Sequence, residues 1–185
     1  MTDRNQEDLR YMQMALDMAK LGRGYTNPNP MVGAVIVKDR QVIAKGYHHC
    51  CGQGHAEVEA FKDAGNQDVT GATIYVTLEP CSHYGKTPPC ADKIIEKKIG
   101  RVVVGALDPN PLVAGRGIEK IRNAGIEVTT GVLAEESIKL NEIFMKYIVN
   151  KEPFVLYKSA MSLDGKIATA SGESQWISCE ASRKE

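Results

Sequence analysis

The sequence has little of what would mark a membrane protein, a nucleic-acid-binding protein or a zinc peptidase. Its 185 residues contain no run of 18 or more apolar residues, so we predict no membrane-spanning helix and no membrane partner. Its 23 Lys and Arg residues balance its 23 Asp and Glu residues, so no net positive charge favours nucleic acid. The motif HExxH is absent, which excludes the metallopeptidases built on it.

The chain also lacks the cysteine content of a disulfide scaffold, and its number of cysteines is odd. Two of the five cysteines fall in a motif with a histidine, which argues against a disulfide framework. The first ten residues, MTDRNQEDLR, are acidic and polar, unlike a secretory signal or a transit peptide. We therefore expect a cytoplasmic protein in a reducing compartment.

The composition, 43% hydrophobic and 25% charged, is ordinary for a globular protein. Residues 1–150 alternate helical and strand patterns and are long enough to bury a core of their own. At Pro153 the pattern restarts with one apolar segment, FVLY, followed by a polar loop rich in Gly and Ser. We predict a domain over 1–150 and the opening of a second domain over 151–185.

The order of the elements predicts the fold class. Periodicity indicates a helix over 7–21, a β-hairpin with Asp39 in its turn, and then alternating helices and strands. This order predicts a three-layer α/β/α sandwich whose mixed sheet has antiparallel hairpin strands and parallel later strands. The segment AEESIKLNEIFMKYIVN is predicted to form one long amphipathic helix, and the segment after Pro153 to begin with a strand.

Two separated motifs supply one imidazole, two thiols and a carboxylate. They are HAE, with His55 and Glu57, and EPC, with Cys81, followed by Cys90. This set can hold a zinc ion with one open position and move protons beside it. His55 is predicted at the start of a helix, where it and Glu57 can converge, and helix starts favour ionised carboxylates and thiolates.

The charges of this set assign a role to each residue. One neutral imidazole and two thiolates cancel the charge of Zn²⁺, so a water molecule activated there needs a nearby base. Glu57 is placed to take the proton of the water, deliver it to a ring nitrogen of the substrate, and protonate the departing amine. We therefore predict a hydrolytic deaminase, with zinc on His55, Cys81 and Cys90.

Three other interpretations remain open. A closed structural site would take a fourth ligand from residues 48–51, and the chain would then be a non-catalytic zinc-stabilised binding module. A nucleophilic cysteine enzyme using Cys81 and His83 would leave Cys90 and Glu57 unexplained. A deaminase of another nucleoside, a free base or a tRNA adenosine would fit the motif, although the neutral charge argues against tRNA.

The chain resembles the deaminase domain of the bifunctional riboflavin-biosynthesis deaminase/reductase family. The resemblance runs from about residue 8 to the C-terminus, through the blocks TNPNPMVGAVIV, GHAEVEA, YVTLEPCSHYGKTPPC and DPNPLVAGRG. Eight residues, SHYGKTPP, stand between the two cysteines where most zinc deaminases have two. The tail KSAMSLDGKIATASGESQWIS resembles the first strand and loop of that family's reductase domain, whose fold is like that of dihydrofolate reductase.

The resemblance implies a cytidine-deaminase type of fold and a phosphoribosylated substrate, 2,5-diamino-6-(5-phosphoribosylamino)pyrimidin-4-one. This substrate would be deaminated at its 2-amino position to 5-amino-6-(5-phosphoribosylamino)uracil. The resemblance also implies homo-oligomers. The residues that it implies as substrate contacts are Asn27, His48, His83 and Lys86, with Asn110 and Arg116 as further candidates.

The resemblance assigns roles in the tail as well. Ala160 and Trp176 match positions that bind NADP(H), and Ser174 matches a position that binds the reductase substrate. Because this chain holds only a short opening segment of that domain, we expect neither NADPH binding nor ribose reduction from it.

Overall fold

The computed structural model describes residues 3–84, 88–110 and 114–184. The chain forms two compact units, Met1–Pro153 and Phe154–Glu185. Their boundary lies close to the predicted one, and the functional assignment of the two parts stays a prediction. None of the helices in the described ranges combines the length and apolar character needed to cross a membrane.

The first unit alternates helices and strands after an initial helix and a hairpin. In chain order its elements are α1 (Asp3–Lys20), β1 (Gly33–Lys38), β2 (Gln41–Tyr47), α2 (Ala56–Ala64), β3 (Thr73–Leu78), α3 (Cys90–Glu96), β4 (Arg101–Ala106), α4 (Arg116–Asn123), β5 (Glu127–Thr130), α5 (Ala134–Leu140) and α6 (Glu142–Asn150).

The five strands form one mixed sheet in the order β2-β1-β3-β4-β5. Strand β1 pairs antiparallel with β2 and β3, whereas β4 pairs parallel with β3 and β5. The predicted mixture of antiparallel hairpin strands and parallel later strands is confirmed. Because β3 and β4 are parallel neighbours, with Leu78 paired to Ala106, the loops that follow them meet at one edge of the sheet.

Helices cover both faces of this sheet, which confirms the predicted three-layer sandwich. Helices α2, α3 and α4 pack on the face that carries Ile36, Val76 and Val104, and α1 packs on the face that carries Val35 and Val103. Successive strand residues point to opposite faces, so β1, β3 and β4 need apolar side chains at nearly every position.

The hairpin turn lies where the sequence places it. Asp39 and Arg40 both have positive φ, 50° and 62°, as a two-residue turn between twisted antiparallel strands requires. The Tyr11 hydroxyl of α1 donates a hydrogen bond to the carbonyl of Arg40, which ties the turn to the first helix.

The prediction of one long helix over 134–150 is wrong, because the helix is interrupted at Asn141. The Asn141 side chain is buried, accepts a hydrogen bond from the Met31 backbone N–H and donates one to the Met31 carbonyl. The side-chain amide thus pairs with a distant backbone segment as a strand would. Helices α5 and α6 meet at this contact.

The prediction of a strand after Pro153 is also wrong. Residues 151–162 form no strand, and the one regular element in the described part of the second unit is α7 (Glu180–Arg183). An extended segment becomes a strand only when another backbone pairs with it. Within this unit, side chains close local turns instead: Ser162 bonds to Lys166, and Thr169 bonds to the N–H of Glu173.

Candidate active site

His55 and Glu57 converge because helix α2 begins between them. His55 is the residue before the helix and has an extended backbone, φ −70° and ψ 163°, whereas Glu57 lies in the first turn. The helix packs tightly on β2, since a Cβ at Gly46 would lie 2.2 Å from the backbone nitrogen of Ala60. The Glu57 side chain is therefore held at a fixed depth and is only 3% exposed.

The two cysteines come from the segment that runs from the end of β3 to the start of α3 and lie next to His55. Cys81 lies three residues after the end of β3, and Cys90 is the first residue of α3. The backbone N–H of Cys90 donates to the Cys81 sulfur at 3.3 Å, and the N–H of Ala91 donates to the Cys81 carbonyl. The start of α3 thus holds the Cys81 sulfur in place and favours its thiolate form.

His55, Cys81 and Cys90 form a cluster suited to a metal ion. Their ligand atoms all lie within 4.8 Å of one another. The His55 Nδ1 atom is 3.6 Å from the Cys81 Sγ and 3.4 Å from the Cys90 Sγ. A nitrogen and a sulfur that bind one tetrahedral zinc ion stand about 3.5 Å apart, so the donor set fits zinc in both chemistry and spacing.

The protonation of this cluster reflects the close contact of its members. The hydrogen bond with the Cys90 thiol lowers the pKa of Cys81, and the same contact raises the pKa of Cys90. The hydrogen bond with Cys81 raises the pKa of His55. A divalent cation among these atoms would displace the shared protons and bind two thiolates and a neutral imidazole.

Glu57 lies beside the cluster but is not one of its three members. Burial raises the pKa of the Glu57 carboxyl to about 7, and the negative charge of Cys81 adds to the rise. A carboxyl with this pKa exchanges its proton readily near neutral pH, which is the property that a proton carrier needs.

His48 is a buried, neutral residue next to His55 rather than a surface histidine. Its Nδ1 lies 3.0 Å from the Gly54 carbonyl, and its Nε2 lies 3.1 Å from the Asn29 side-chain nitrogen. Because the carbonyl needs a donor and the amide nitrogen supplies one, Nδ1 carries the proton and Nε2 accepts. Burial lowers the pKa of His48, which agrees with this neutral form.

These side chains border one cavity with a volume of about 240 Å³. The cluster residues His55 and Cys81 lie on its wall together with Glu57 and His48. Helix α6 contributes apolar side chains to the same wall. The wall also includes the polar residues Asn29, Glu79, His83, Asp108 and Asn110 and the α6 residue Phe144.

The structure brings together some of the predicted substrate residues and not others. His48, His83 and Asn110 line the cavity. Asn27 and Arg116 are exposed and are not among its lining residues. Lys86 lies outside the described residues. The substrate roles of all six stay predictions.

Residues 48–51 supply no fourth ligand to the cluster in the part of the chain that the structure describes. Both ring nitrogens of His48 have partners, and Cys51 is exposed. The closed structural site therefore gains no support from the geometry.

Three polar cavity residues were missed by the sequence reasoning. Asn29 is the second asparagine of TNPNP, Glu79 belongs to the EPC motif itself, and Asp108 follows β4. Position could have indicated Glu79 and Asp108, because both stand just beyond the carboxyl ends of adjacent parallel strands.

The residues assigned to the reductase lie in the second unit. Ala160, Ser174 and Trp176 are exposed, and the Arg183 guanidinium stacks 4.0 Å from the centre of the Trp176 ring. Their cofactor and substrate roles stay predictions.

Comparison with known proteins gives a consistent result. The sequence model described as "Cytidine and deoxycytidylate deaminase zinc-binding region" matches residues 5–106, and that of the RibD C-terminal domain matches residues 153–185. The riboflavin biosynthesis protein RibD of Aquifex aeolicus is 55% identical over 177 residues, 96% of this chain and 49% of the relative. That of Actinobacillus pleuropneumoniae is 56% identical, over 95% of this chain and 46% of the relative.

A solved structure supports the same grouping. The crystal structure of a diaminohydroxyphosphoribosylaminopyrimidine deaminase/5-amino-6-(5-phosphoribosylamino)uracil reductase from Thermotoga maritima has a TM-score of 0.94 and 51% identity. It is matched over 98% of this chain and 52% of its own. The predicted cytidine-deaminase type of fold is thereby confirmed. The chain spans about half the length of the relatives that it matches.

Proposed function

Because the chain belongs to the cytidine and deoxycytidylate deaminase family, we propose that it hydrolyses the 2-amino group of a phosphoribosylated diaminopyrimidine. The proposed substrate is 2,5-diamino-6-(5-phosphoribosylamino)pyrimidin-4-one, and the products are 5-amino-6-(5-phosphoribosylamino)uracil and ammonia. The name of the Thermotoga maritima relative includes this deaminase activity. The reaction would serve riboflavin biosynthesis, in keeping with the names of the curated relatives.

One observation carries the catalytic part of this proposal. A carboxyl group that is 3% exposed and has a pKa of about 7 lies beside a His/Cys/Cys cluster with the spacing of a zinc site. Burying an ionisable carboxyl is costly, and Glu57 is not needed as a metal ligand. A proton-carrying role accounts for both its burial and its raised pKa.

In the proposed mechanism His55, Cys81 and Cys90 would hold a zinc ion. When bound, the metal supplies Lewis acidity that lowers the pKa of a water molecule. Glu57 accepts a proton from this water and transfers it to the ring nitrogen next to the reacting carbon. Glu57 then delivers the second water proton to the leaving amino group, so that the carbon gains an oxygen and loses ammonia.

The cavity wall supports the proposed substrate class. His48 presents a neutral ring whose orientation is fixed by Gly54 and Asn29. His83 lies at the cavity on the segment that follows Cys81. A cation on that segment would suit a ribose phosphate, and we propose His83 and Lys86 for this contact. Asn29 joins the proposed substrate contacts, because it lines the cavity and Asn27 does not.

The test measures ammonia release from four compounds at equal concentration. They are the phosphoribosylated pyrimidine, its dephosphorylated riboside, cytidine and dCMP. We expect release from the first compound, a large loss without the phosphate, and none from the last two. Removal of the metal with a chelator is expected to abolish release, and added Zn²⁺ to restore it.

Two results would contradict the proposal. Faster release from cytidine or dCMP would assign the chain another substrate within the same family. A folded, zinc-loaded chain that releases ammonia from none of the four would favour the non-catalytic binding module.

A further inference from the structure

Glu79 is a second buried glutamate at the cavity, and its surroundings differ from those of Glu57. It follows β3 directly and is 5% exposed. Its Oε1 accepts hydrogen bonds from the backbone N–H groups of Gly117, at 3.0 Å, and Ile118, at 3.4 Å. Its Oε2 accepts from Gly115, at 2.9 Å, and Asp108, at 3.3 Å.

One side chain therefore joins both ends of the connection between β4 and α4. Asp108 lies just after β4, whereas Gly115, Gly117 and Ile118 lie around the start of α4. Both carboxylate oxygens are occupied by N–H donors, so Glu79 is fully engaged as an acceptor. The separation of 29 to 39 residues between Glu79 and its partners means that these bonds fix tertiary structure.

The backbone also approaches Glu79 closely. A Cβ at Gly117 would lie 2.0 Å from the Pro80 carbonyl oxygen and 3.3 Å from the Glu79 Oε1. Only glycine permits this packing of the start of α4 on the segment that leads to Cys81. The two described ends of the β4–α4 connection, at Asp108 and around Gly115, are thus fixed against the EPC motif.

The residues at the β4 end of this connection contribute to the wall of the cavity. Asp108 and Asn110 line the cavity together with His55, Glu57 and Cys81. The Asn110 N–H also donates to the Asp108 carboxylate, so the chain direction after β4 depends on the position of Asp108.

We propose that Glu79 is a positioning residue, whose carboxylate acts through four backbone N–H groups to set the β4–α4 wall of the substrate cavity. It neither binds the metal nor transfers a proton. The effect on substrate rests on the function proposed above, whereas the effect on the backbone does not.

The decisive variant is Glu79→Gln. The amide keeps one acceptor oxygen, but its NH₂ group would face two backbone N–H donors, so half of the contact becomes repulsive. We expect KM to rise about tenfold or more, because the free energy lost with hydrogen bonds to a charged group is large enough for such a change. We expect kcat to change by less than about threefold. The zinc content per chain and the pH profile of kcat are expected to match those of the unmodified chain.

Asp8→Asn is the matched control. Asp8 is also a carboxylate that is 5% exposed, but it bonds to Arg101 and Tyr75 on the α1 side of the sheet. This variant is expected to lower the melting temperature and leave KM unchanged. A similar KM increase in both variants would show that general loss of stability causes the effect, and would overturn the inference.

Amide hydrogen exchange tests the inference without any turnover. In the unmodified chain, the N–H groups of Gly115 and Gly117 are expected to exchange at least about tenfold more slowly than those of exposed loop residues. Glu79→Gln is expected to remove this protection, and Asp8→Asn to retain it. If Glu79→Gln does not fold, the unmodified chain and Glu79→Asp, whose shorter side chain reaches fewer donors, provide the same comparison.

The outcomes separate the two proposals. Unprotected Gly115 and Gly117 amides in the unmodified chain would overturn the role of Glu79, whatever the activity. So would loss of zinc, or a fall in kcat with unchanged KM and a shifted pH profile, in Glu79→Gln. If the unmodified chain releases no ammonia from the phosphoribosylated pyrimidine, the proposed function fails, and the exchange result alone decides the inference.

Discussion

Asp8 and Glu57 are acidic residues buried to almost the same degree, 5% and 3% exposed, but the groups around them shift their pKa values in opposite directions. Asp8 lies on the α1 side of the sheet, where both Arg101 terminal nitrogens donate to it at 2.7 Å and the Tyr75 hydroxyl donates at 2.9 Å. Burial acts to raise the pKa of Asp8, but these hydrogen bonds outweigh it, and the net pKa lies below the usual value.

Glu57 lies on the opposite side, beside a thiolate rather than an arginine. Burial and the charge of Cys81 together raise its pKa to about 7. The same cost of removing a carboxylate from water is thus offset at Asp8 and left largely uncompensated at Glu57. A charge that is fully paired stabilises the fold, whereas one that is poorly paired near neutral pH is available for proton transfer.

The largest expected effect comes from Glu57→Gln. Loss of the proposed proton carrier is expected to reduce kcat by about 10²–10⁴-fold, the usual contribution of general acid–base catalysis. Zinc content is expected to stay the same, because Glu57 is not part of the ligand cluster. Ammonia release and metal analysis on the same sample check both. Retained activity would remove Glu57 from the mechanism.

Asp8→Asn is expected to lower the stability of the fold and to leave the activity unchanged. The variant removes the charge that pairs with the Arg101 guanidinium at 2.7 Å and leaves it with the more distant and half-exposed Glu127, 3.4 Å from the Arg101 Nε. Breaking a buried ion pair in this way costs about 3 kcal/mol. Denaturant unfolding is expected to show this loss, while kcat and KM of the folded protein stay unchanged. A large loss of activity in the folded variant would end the distinction between the two carboxylates.

A fall in pH is expected to change the stability contributions of Asp8 and Glu57 in opposite directions. The folded-state pKa of Asp8 is lowered, so its contribution to stability is present above the unfolded-state pKa and is lost as the pH falls through the folded-state value. The folded-state pKa of Glu57 is raised from 4.5 to about 7, so the metal-free chain loses stability as the pH rises between these values.

Unfolding of the metal-free chain between pH 4 and 8 tests this contrast. Glu57→Gln is expected to gain stability over the unmodified chain as the pH rises, by up to about 3 kcal/mol near pH 8. The stability difference between Asp8→Asn and the unmodified chain is expected to shrink below pH 4. A pH-independent difference for Glu57→Gln would mean that its carboxyl does not have a raised pKa.

The sequence was sufficient where chemistry and structure are local. His55 and Glu57 stand two residues apart at a helix start, and the β-branched runs of β3 and β4 are typical of buried strands. It was insufficient where one side chain bonds to distant backbone. The Asn141 contact with Met31 spans 110 residues and interrupts a pattern that is helical throughout.

The pairing of buried charges could not be predicted from the sequence either. Asp8 and Arg101 are 93 residues apart, and neither stands out from the other acidic and basic residues along the chain. Glu79 was visible in the EPC motif, but its hydrogen bonds come from the backbone N–H groups of residues 108, 115, 117 and 118, which carry no side-chain signal. Periodicity in the sequence indicates which residues are buried, and residue type indicates which chemistry they can perform. Hydrogen-bond partners, in contrast, are set by the tertiary fold.

The smallest effect is expected from Tyr75→Phe. This variant removes one neutral donor to Asp8 and leaves the two bonds from Arg101 in place. The loss should be about 1 kcal/mol, that of a single buried hydrogen bond, with no change in KM. Combining it with Asp8→Asn tests the network, because residues in direct contact are not additive. If the double variant loses the full sum of both effects, Tyr75 does not act through Asp8, and the buried Asp8 carboxylate is stabilised by Arg101 alone.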